Sequence, residues 1–427
     1  MRKLSLCLSA VFAPVSLGAP SVEYVEPGYL VSSLSYDGTA AAGNSVGDYS
    51  YETFRWTRAG GVERLGLATF PVISRAAGTP NISYSGNQVS ASILSSDYQL
   101  TQGLWDLNSG WTECMPPVAP GGALVDDGYG SAWGLSGNGQ VVTGFFWSEN
   151  YRAQASAWSA TTGIVALGQQ EGRSARANAA SYDGSVVCGW EENEFGSWMP
   201  HVWRGGVNIT LDERDGGVNE GQYVSGDGSL VTGSTWNEDE LINVATIWRW
   251  NGAGYDTEQV GALWGTPAYE GSAALLGISN DGSMAAGVNN YSWGNGEAIV
   301  WTPAHGLQTL PDFLAGYSIE LDPIFFALDC SAVSADGSTL AVTCLNQETF
   351  EYVTAIVRLR EPCPADLNGD GVVDDSDFVM FADQYAYLDC ADPAMPGYCR
   401  ADLNGDGIVD DSDFVLFAQA YEQLVCP

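Results

Sequence analysis

The chain alternates apolar and polar residues in short runs, separated by turns rich in Gly, Asp and Asn. A period of two places successive side chains on opposite faces, which predicts half-buried strands rather than helices. One pattern, apolar-Ser-x-Asp-Gly-x-x-apolar-x-Gly, recurs. It reads LSYDGTAAAG at 34–43, ISYSGNQVSA at 82–91, LSGNGQVVTG at 135–144 and ASYDGSVVCG at 180–189. It returns as VSGDGSLVTG at 224–233, ISNDGSMAAG at 278–287 and VSADGSTLAV at 333–342. The central Gly or its equivalent falls every 44 to 55 residues. Each copy predicts a hairpin around an Asp-Gly or Asn-Gly type turn, which needs a positive φ.

A second Gly-turn hairpin follows each first one, as in TFRWTRAGGVERLG at 53–66 and HVWRGGVNITL at 201–211. Its first strand carries a recurring tryptophan: Trp56, Trp105, Trp158, Trp203, Trp248 and Trp301. In the seventh copy, AIVRL at 355–359, Arg358 stands in that place. Two hairpins per unit give four strands, and seven such units predict an all-β seven-bladed β-propeller over residues 20–360. The seventh unit stops at Leu359 after its third strand. Val22–Val25 is placed to supply the missing outer strand, which closes the ring and removes two open edges. The units resemble the HAF-type extracellular repeats, whose hallmark is an x-Phe-Arg-Trp strand beside the Ser-x-Asp-Gly hairpin. Thr53-Phe54-Arg55-Trp56 carries the best match. The resemblance implies export and says little about activity.

The pattern changes over residues 363–427. Asp366, Asn368, Asp370, Asp374 and Asp377 stand at positions 1, 3, 5, 9 and 12 of a 12-residue loop, with Gly371 at position 6. Asp402, Asn404, Asp406, Asp410 and Asp413, with Gly407, repeat it. Oxygen ligands in that order, completed by the carbonyls of Val372 and Ile408 at position 7, suit Ca2+ rather than Mg2+ because of their number. Two ions are expected. Clustered carboxylates repel without a cation, so folding here should be coupled to metal. Phe378, Phe381, Tyr385 and Leu388, and their twins Phe414, Phe417, Tyr421 and Leu424, follow helical spacing and predict one helix after each loop. The tandem, with Asp rather than Glu at position 12, resembles type I dockerin modules. That resemblance implies a cohesin-type protein or cell-surface scaffold as partner. Asp-Ser at positions 10 and 11 of both copies, and helices without basic residues, depart from familiar cohesin-binding helices.

Composition narrows the setting. Arg2 and Lys3 precede a mostly apolar stretch ending in small residues, which reads as a signal peptide over residues 1–19 and predicts a secreted or cell-surface protein. No window is long and apolar enough for a membrane span. A formal net charge of −37 argues against nucleic acid and anionic membranes as partners. Nine cysteines include Cys7 in the leader. The helix after each loop holds the two cysteines of one copy roughly 20 Å apart, beyond the reach of a disulfide. Antiparallel helices therefore predict Cys363–Cys426 and Cys390–Cys399. Cys330 and Cys344 flank the seventh Asp-Gly turn and predict a third bridge, while Cys114 and Cys188 fall in different units and are expected as free thiols.

Strand order puts the tight Gly turns on one face of the propeller and the longer connections on the other. The longer connections pair aromatics with acids or amides: Trp147 with Glu149, Trp190 with Glu192, Trp236 with Glu238, and Tyr291 with Trp293. Aromatic platforms beside carboxylates suit sugar stacking and hydroxyl recognition. Support for catalysis is weaker. No phosphate loop is present, Lys3 is the only lysine, and the two histidines, His201 and His305, do not form a metal pair. The expected function is non-catalytic recognition of a glycan or protein, with the calcium module as tether. The alternatives are a propeller glycoside hydrolase or lyase, and a structural envelope protein.

Overall fold

The computed structural model describes residues 20–46, 52–68, 78–96, 99–114, 129–148, 151–168, 171–263, 272–289, 296–360, 363–368, 372–390, 392 and 395–422. The expected signal peptide lies outside them. Seven four-stranded antiparallel sheets form seven blades. Six consist of four consecutive strands each. In the seventh, Phe325–Val333, Thr339–Asn346 and Tyr352–Arg358 are joined by Ser21–Tyr24, which pairs antiparallel with Tyr352–Arg358 as the outer strand. The expected closure is thus present, and the innermost strand of blade 1, Tyr29–Leu34, packs against blade 7.

The recurring serine and aspartate have a local explanation. In blade 5, Ser225 Oγ donates to Asp227 Oδ1 (2.7 Å) and accepts from the Leu230 amide (3.0 Å), while the Ser229 amide donates to Asp227 Oδ1 (2.8 Å). Gly228 sits at φ +70°. Blades 1, 4, 6 and 7 repeat these bonds through Ser35/Asp37, Ser181/Asp183, Ser279/Asp281 and Ser334/Asp336, and Asn138 replaces the aspartate in blade 3. An Asx turn satisfies backbone donors inside the tight bend, and Gly supplies the left-handed position at no steric cost. The residue between serine and aspartate links the blades. Tyr36 N donates to Tyr84 O, Tyr84 N to Gly137 O, Asn138 N to Tyr182 O, and Tyr182 N to Gly226 O. Gly226 N donates to Asn280 Oδ1, Asn280 N to Ala335 O, and Asp336 N back to Tyr36 O. A closed ring of hydrogen bonds therefore rims one mouth of the central channel.

All six recurring tryptophans are buried, Trp248 completely. They lie opposite Ala or Val of the preceding strand, as Trp56 opposite Ala41 and Trp248 opposite Val231. Register corrects the expectation for blade 7. Val357, opposite Leu340, occupies the tryptophan slot, and Arg358 lies one residue further, opposite Thr339. Arg358 is buried and donates to the Gly38 carbonyl of blade 1 at 3.0 Å, a polar tie across the closing seam.

The innermost strands of blades 1, 3, 4, 5 and 6 each carry a register shift, at Ser32, Trp133, Asn178, Gln222 and Leu276, and blade 7 carries two. A bulge leaves one residue unpaired and re-aims its side chain. These residues line an axial cavity of ≈ 60 Å³ together with Asn81 and Ser331, large enough for ordered water. The expected Cys330–Cys344 bridge is not formed: pairing of Val333 with Leu340 already sets the two cysteines one residue out of opposition, and the two bulges widen the offset, leaving Cys330 opposite Val342 and Cys344 opposite Ala327, both buried and outside any disulfide. Cys114 and Cys188 are buried free thiols, and burial pushes Cys344 up to about 12.

A short helix, α1 (Leu310–Ala315), capped by Thr309, packs into the core between blades 6 and 7, where no helix was expected. The C-terminal segment contains α2 (Asp375–Tyr385) and α3 (Asp411–Tyr421). Phe381 and Phe417 are buried and meet at 5.0 Å. Their neighbours in the expected stripes, Phe378 and Phe414, are half-exposed. Leu388 lies beyond α2 and Leu424 outside the described residues. Tyr385 Oη donates to Asp411 Oδ1 at 2.7 Å, and Tyr421 Oη bonds Asp375 Oδ1 in the reciprocal arrangement. Cys390–Cys399 is formed as expected. Cys363 is disulfide-bonded, and its expected partner, Cys426, lies outside the described residues.

Candidate functional sites

At the long-loop end, the structure gathers only some of the expected aromatics. Trp190 stacks flat on Trp198, with centroids 4.2 Å apart. The Arg176 guanidinium lies 3.5 Å over the Trp133 ring and 5.3 and 5.5 Å from Trp190 and Trp198. Arg176 pairs with Glu220 at 2.6 Å, and both are buried. Asn178 and Gln222 donate to the same carboxylate at 3.1 and 2.5 Å. Glu220 is thereby held by three partners, an arrangement for fixing charge rather than transferring protons. Trp190 is buried, so it forms the back wall, while half-buried Trp133 and Trp198 keep accessible edges.

Other expected residues sit apart from this cluster. Trp147 packs edge-on against Phe145 at 5.1 Å. Trp236 covers the Gly216-Gly217 turn, where an added Cβ would meet its ring at 2.8–2.9 Å. Glu192 accepts from the Ser174 amide at 2.9 Å and pairs with Arg152 at 3.6 Å. Glu238 is exposed. Glu149, Tyr291 and Trp293 lie outside the described residues. Sequence reasoning passed over Trp133, Arg176, Trp198 and Glu220. A signal existed: Arg176/Asn178 and Glu220/Gln222 put polar residues at alternate positions of two adjacent inner strands, a polar row facing one side.

His201 is buried beside Glu191, Nε2 to Oε2 3.6 Å, and burial lowers its pKa to about 4. His305 lies in a turn. Among the described residues no three His, Cys, Asp or Glu side chains converge as a metal-binding group.

The second of the two aspartate-rich loops expected to bind calcium, residues 402–413, is described in full. Asp402 Oδ1 accepts from the Gly405 and Asp406 amides at 2.8 and 3.1 Å, and Oδ2 from Gly407 at 2.8 Å. Asp413, fully buried, accepts from the Asn404 and Asp410 amides at 3.0 and 2.9 Å. Asn404 Oδ1 accepts from Asp406, and Asp406 Oδ1 from Ile408. Asp410 caps α3, as Asp374 caps α2. Burial raises Asp402 to about 6, with the like charge of Asp413 adding to it. A half-buried and a buried carboxylate that repel each other, with no ion pair to either among the described residues, suit a cation between them. In the first loop Asp377 is buried and accepts from Asn368 and Asp374 in the same way. Asp366 is buried, Val372 is exposed, and Asp370 lies outside the described residues.

The C-terminal segment sits against the turn face. Tyr398 lies 6.4, 5.9 and 5.2 Å from the rings of Tyr36, Tyr84 and Tyr182. Arg400 stacks 4.7 Å over Tyr36, and Asn87 Nδ2 donates to Gly405 O at 2.8 Å. Burial pushes Tyr182 and nearby Tyr223 up to about 12. A cleft of ≈ 890 Å³ lies beside this contact, bounded by blades 1 to 3 and by Asp402, Asn404 and Asp406.

No family model and no curated protein sequence matches the chain. Solved structures do. An oligogalacturonate lyase in complex with manganese is 12% identical with a TM-score of 0.50, covering 82% of this chain and 99% of that one. TolB from Acinetobacter baumannii is 11% identical with a TM-score of 0.39, covering 76% and 66%. Prolyl oligopeptidase B from Galerina marginata is 10% identical with a TM-score of 0.49, covering 81% and 51%. The chain thus spans about two thirds of the TolB length and about half of the peptidase. At such identities the likeness concerns the propeller fold alone.

Proposed function

We propose that this is an exported, non-catalytic binding protein whose propeller recognises a glycan at its long-loop face and whose C-terminal module binds two calcium ions. The observation that carries the glycan half is the Trp133–Arg176–Trp198 wall. The half-buried Trp133 and Trp198 indoles, held in place by the buried Arg176 guanidinium, present apolar surface on which a sugar ring can stack. The calcium half is supported by half-buried Asp402 and buried Asp413, which the loop folds toward each other through its own amides. Asp366, Asn368, Asp374 and Asp377 with Val372 O, and Asp402, Asn404, Asp406, Asp410 and Asp413 with Ile408 O, would hold the ions. Val379 and Val415 stand at equivalent places of the two copies, 66% and 54% exposed, and these apolar side chains are the points offered to a cohesin-type partner.

A glycan array and a polysaccharide hydrolysis screen, run on the full chain with and without calcium, test the reading. Binding without product release is expected, and Trp198→Ala should weaken it about tenfold, the scale of one lost stacking contact. Reducing-sugar or unsaturated-product release that a single Asp or Glu change abolishes would establish the enzyme alternative instead. For the module, calorimetry should count two calcium ions per chain, and Asp413→Asn should remove one.

A further inference from the structure

We propose that the turn-face mouth of the propeller is a socket for the protein's own Tyr398, and that calcium in the module holds this peg in place. The mouth is rimmed by the closed ring of hydrogen bonds between successive Ser-x-Asp-Gly turns. Position x decides its shape. Tyr36, Tyr84 and Tyr182 supply aromatic walls, while Gly137, Gly226 and Ala335 leave the gap. Tyr398 fills it: a Cβ built on Gly226 would lie 2.9 Å from Tyr398 Cε1.

The peg is presented under backbone strain. Gly397, Tyr398 and Cys399 all have φ between +54° and +62°, a region that a bulky residue adopts only when its surroundings impose it. Three ties impose it here. Cys399 is bonded to Cys390. The Ala401 amide donates to Gln384 Oε1 of α2 at 2.8 Å. The Arg400 guanidinium donates to the carbonyls of Asp366, at 2.7 Å, and Leu367, while stacking on Tyr36. Arg400 thus joins the start of the first calcium loop to the propeller, and Asn87 joins Gly405 of the second.

Both ties end on loop backbone whose position depends on the carboxylates folding inward, and those carboxylates repel without a cation. Losing the ions should loosen both loops, free Arg400 and Gly405, and open the mouth. This calcium control rests on the reading of the loops given above; the socket itself rests only on the contacts.

Hydrogen–deuterium exchange on the full chain separates the two. In excess calcium, Tyr398→Ala should speed exchange in the turns around Tyr36, Tyr84 and Tyr182 about tenfold, with residues 402–413 as protected as in the wild type. Gly226→Ala, which crowds the peg from the propeller side, should act alike. Chelation of the wild type should produce the same exposure. If neither variant changes the turns in calcium, the socket is refuted. If calcium protects residues 402–413 but chelation leaves the turns unchanged, calcium control is refuted and the socket stands. If calcium protects neither loop, the calcium reading itself fails, and the two variants still decide the socket.

Discussion

The two faces of the propeller follow opposite rules. On the turn face one device repeats: a serine, an aspartate or its stand-in, a left-handed glycine, and a backbone bond to the next blade. At the long-loop ends of the inner strands the blades differ. Five residues before the motif serine stand Leu30, Ser131, Arg176, Glu220 and Ala274 in blades 1, 3, 4, 5 and 6. The turn face spreads its stability over equivalent small contributions, as closing a ring of near-identical units requires. The long-loop face concentrates it in one buried ion pair. Repetition specifies the architecture, and departure from repetition marks the places where a single blade does something its neighbours do not.

The largest effect should follow from breaking that concentrated pair. Arg176→Ala leaves Glu220 buried beside amides and indoles with no cation, and removing one partner of a buried pair costs about 3–5 kcal/mol. Replacing both, with Arg176→Met and Glu220→Gln, should recover most of the loss, because the uncompensated charge is gone. Denaturant midpoints of the three proteins decide. Equal losses in the single and double variants would show that the Trp133 stack, rather than the charge, carries the stability of this face.

His201 is a second departure, in the interior of blade 4. Other blades place Phe54, Ser156, Thr246 or Ile299 two residues before the tryptophan or close to it. Burial lowers its pKa from 6.5 to about 4. Between those values the unfolded chain binds a proton that the native state resists, so stability falls as pH drops through the window. His201→Gln should flatten the stability–pH slope between pH 6.5 and 4 by up to about one proton. An unchanged slope would mean that Glu191, 3.6 Å away, lets the imidazole charge in place.

The same division governs what could be read from residues alone. The hairpin motif and the recurring tryptophan were legible because each is a local pattern repeated until chance is excluded, and the closing strand, expected at Val22–Val25 and found at Ser21–Tyr24, because the seventh unit lacks its fourth strand. The bulges were not. An extra residue in an inner strand leaves the sequence pattern intact but turns Trp133, Asn178 and Gln222 toward the axis. In blade 7 it takes Cys330 and Cys344 further out of opposition. Reading Arg358 as the tryptophan equivalent failed by one residue without any bulge in its pairing: register is decided by pairing, not by resemblance. Of the candidate sites, the two aspartate-rich loops could be singled out from sequence because each set of proposed calcium ligands lies within one short segment. The Arg176–Glu220 cluster comes from separate blades, and the Tyr398 contact joins residues more than 200 positions apart. Nothing local announces either.

The smallest effects should come from the turn face, and their uniformity is the sharper test. Ser35, Ser181, Ser225, Ser279 and Ser334 each donate to the following aspartate and accept, at 2.9–3.1 Å, from the amide five residues on, at or next to the start of the blade's second strand. Changing any one to Ala strands a buried amide and removes one partner of a carboxylate, a loss of about 1–2 kcal/mol. Because the bonds are the same in five blades, the five losses should agree within about 0.5 kcal/mol, the level at which separate sites act independently. Ser35 and Ser181 flank the tyrosines that touch Tyr398, whereas Ser225, Ser279 and Ser334 flank Gly226, Asn280 and Ala335. If the first two cost clearly more than the other three in calcium and the gap closes on chelation, the module adds its own stability to the blades it touches. A flat series in both conditions would confine the turn face to ring closure.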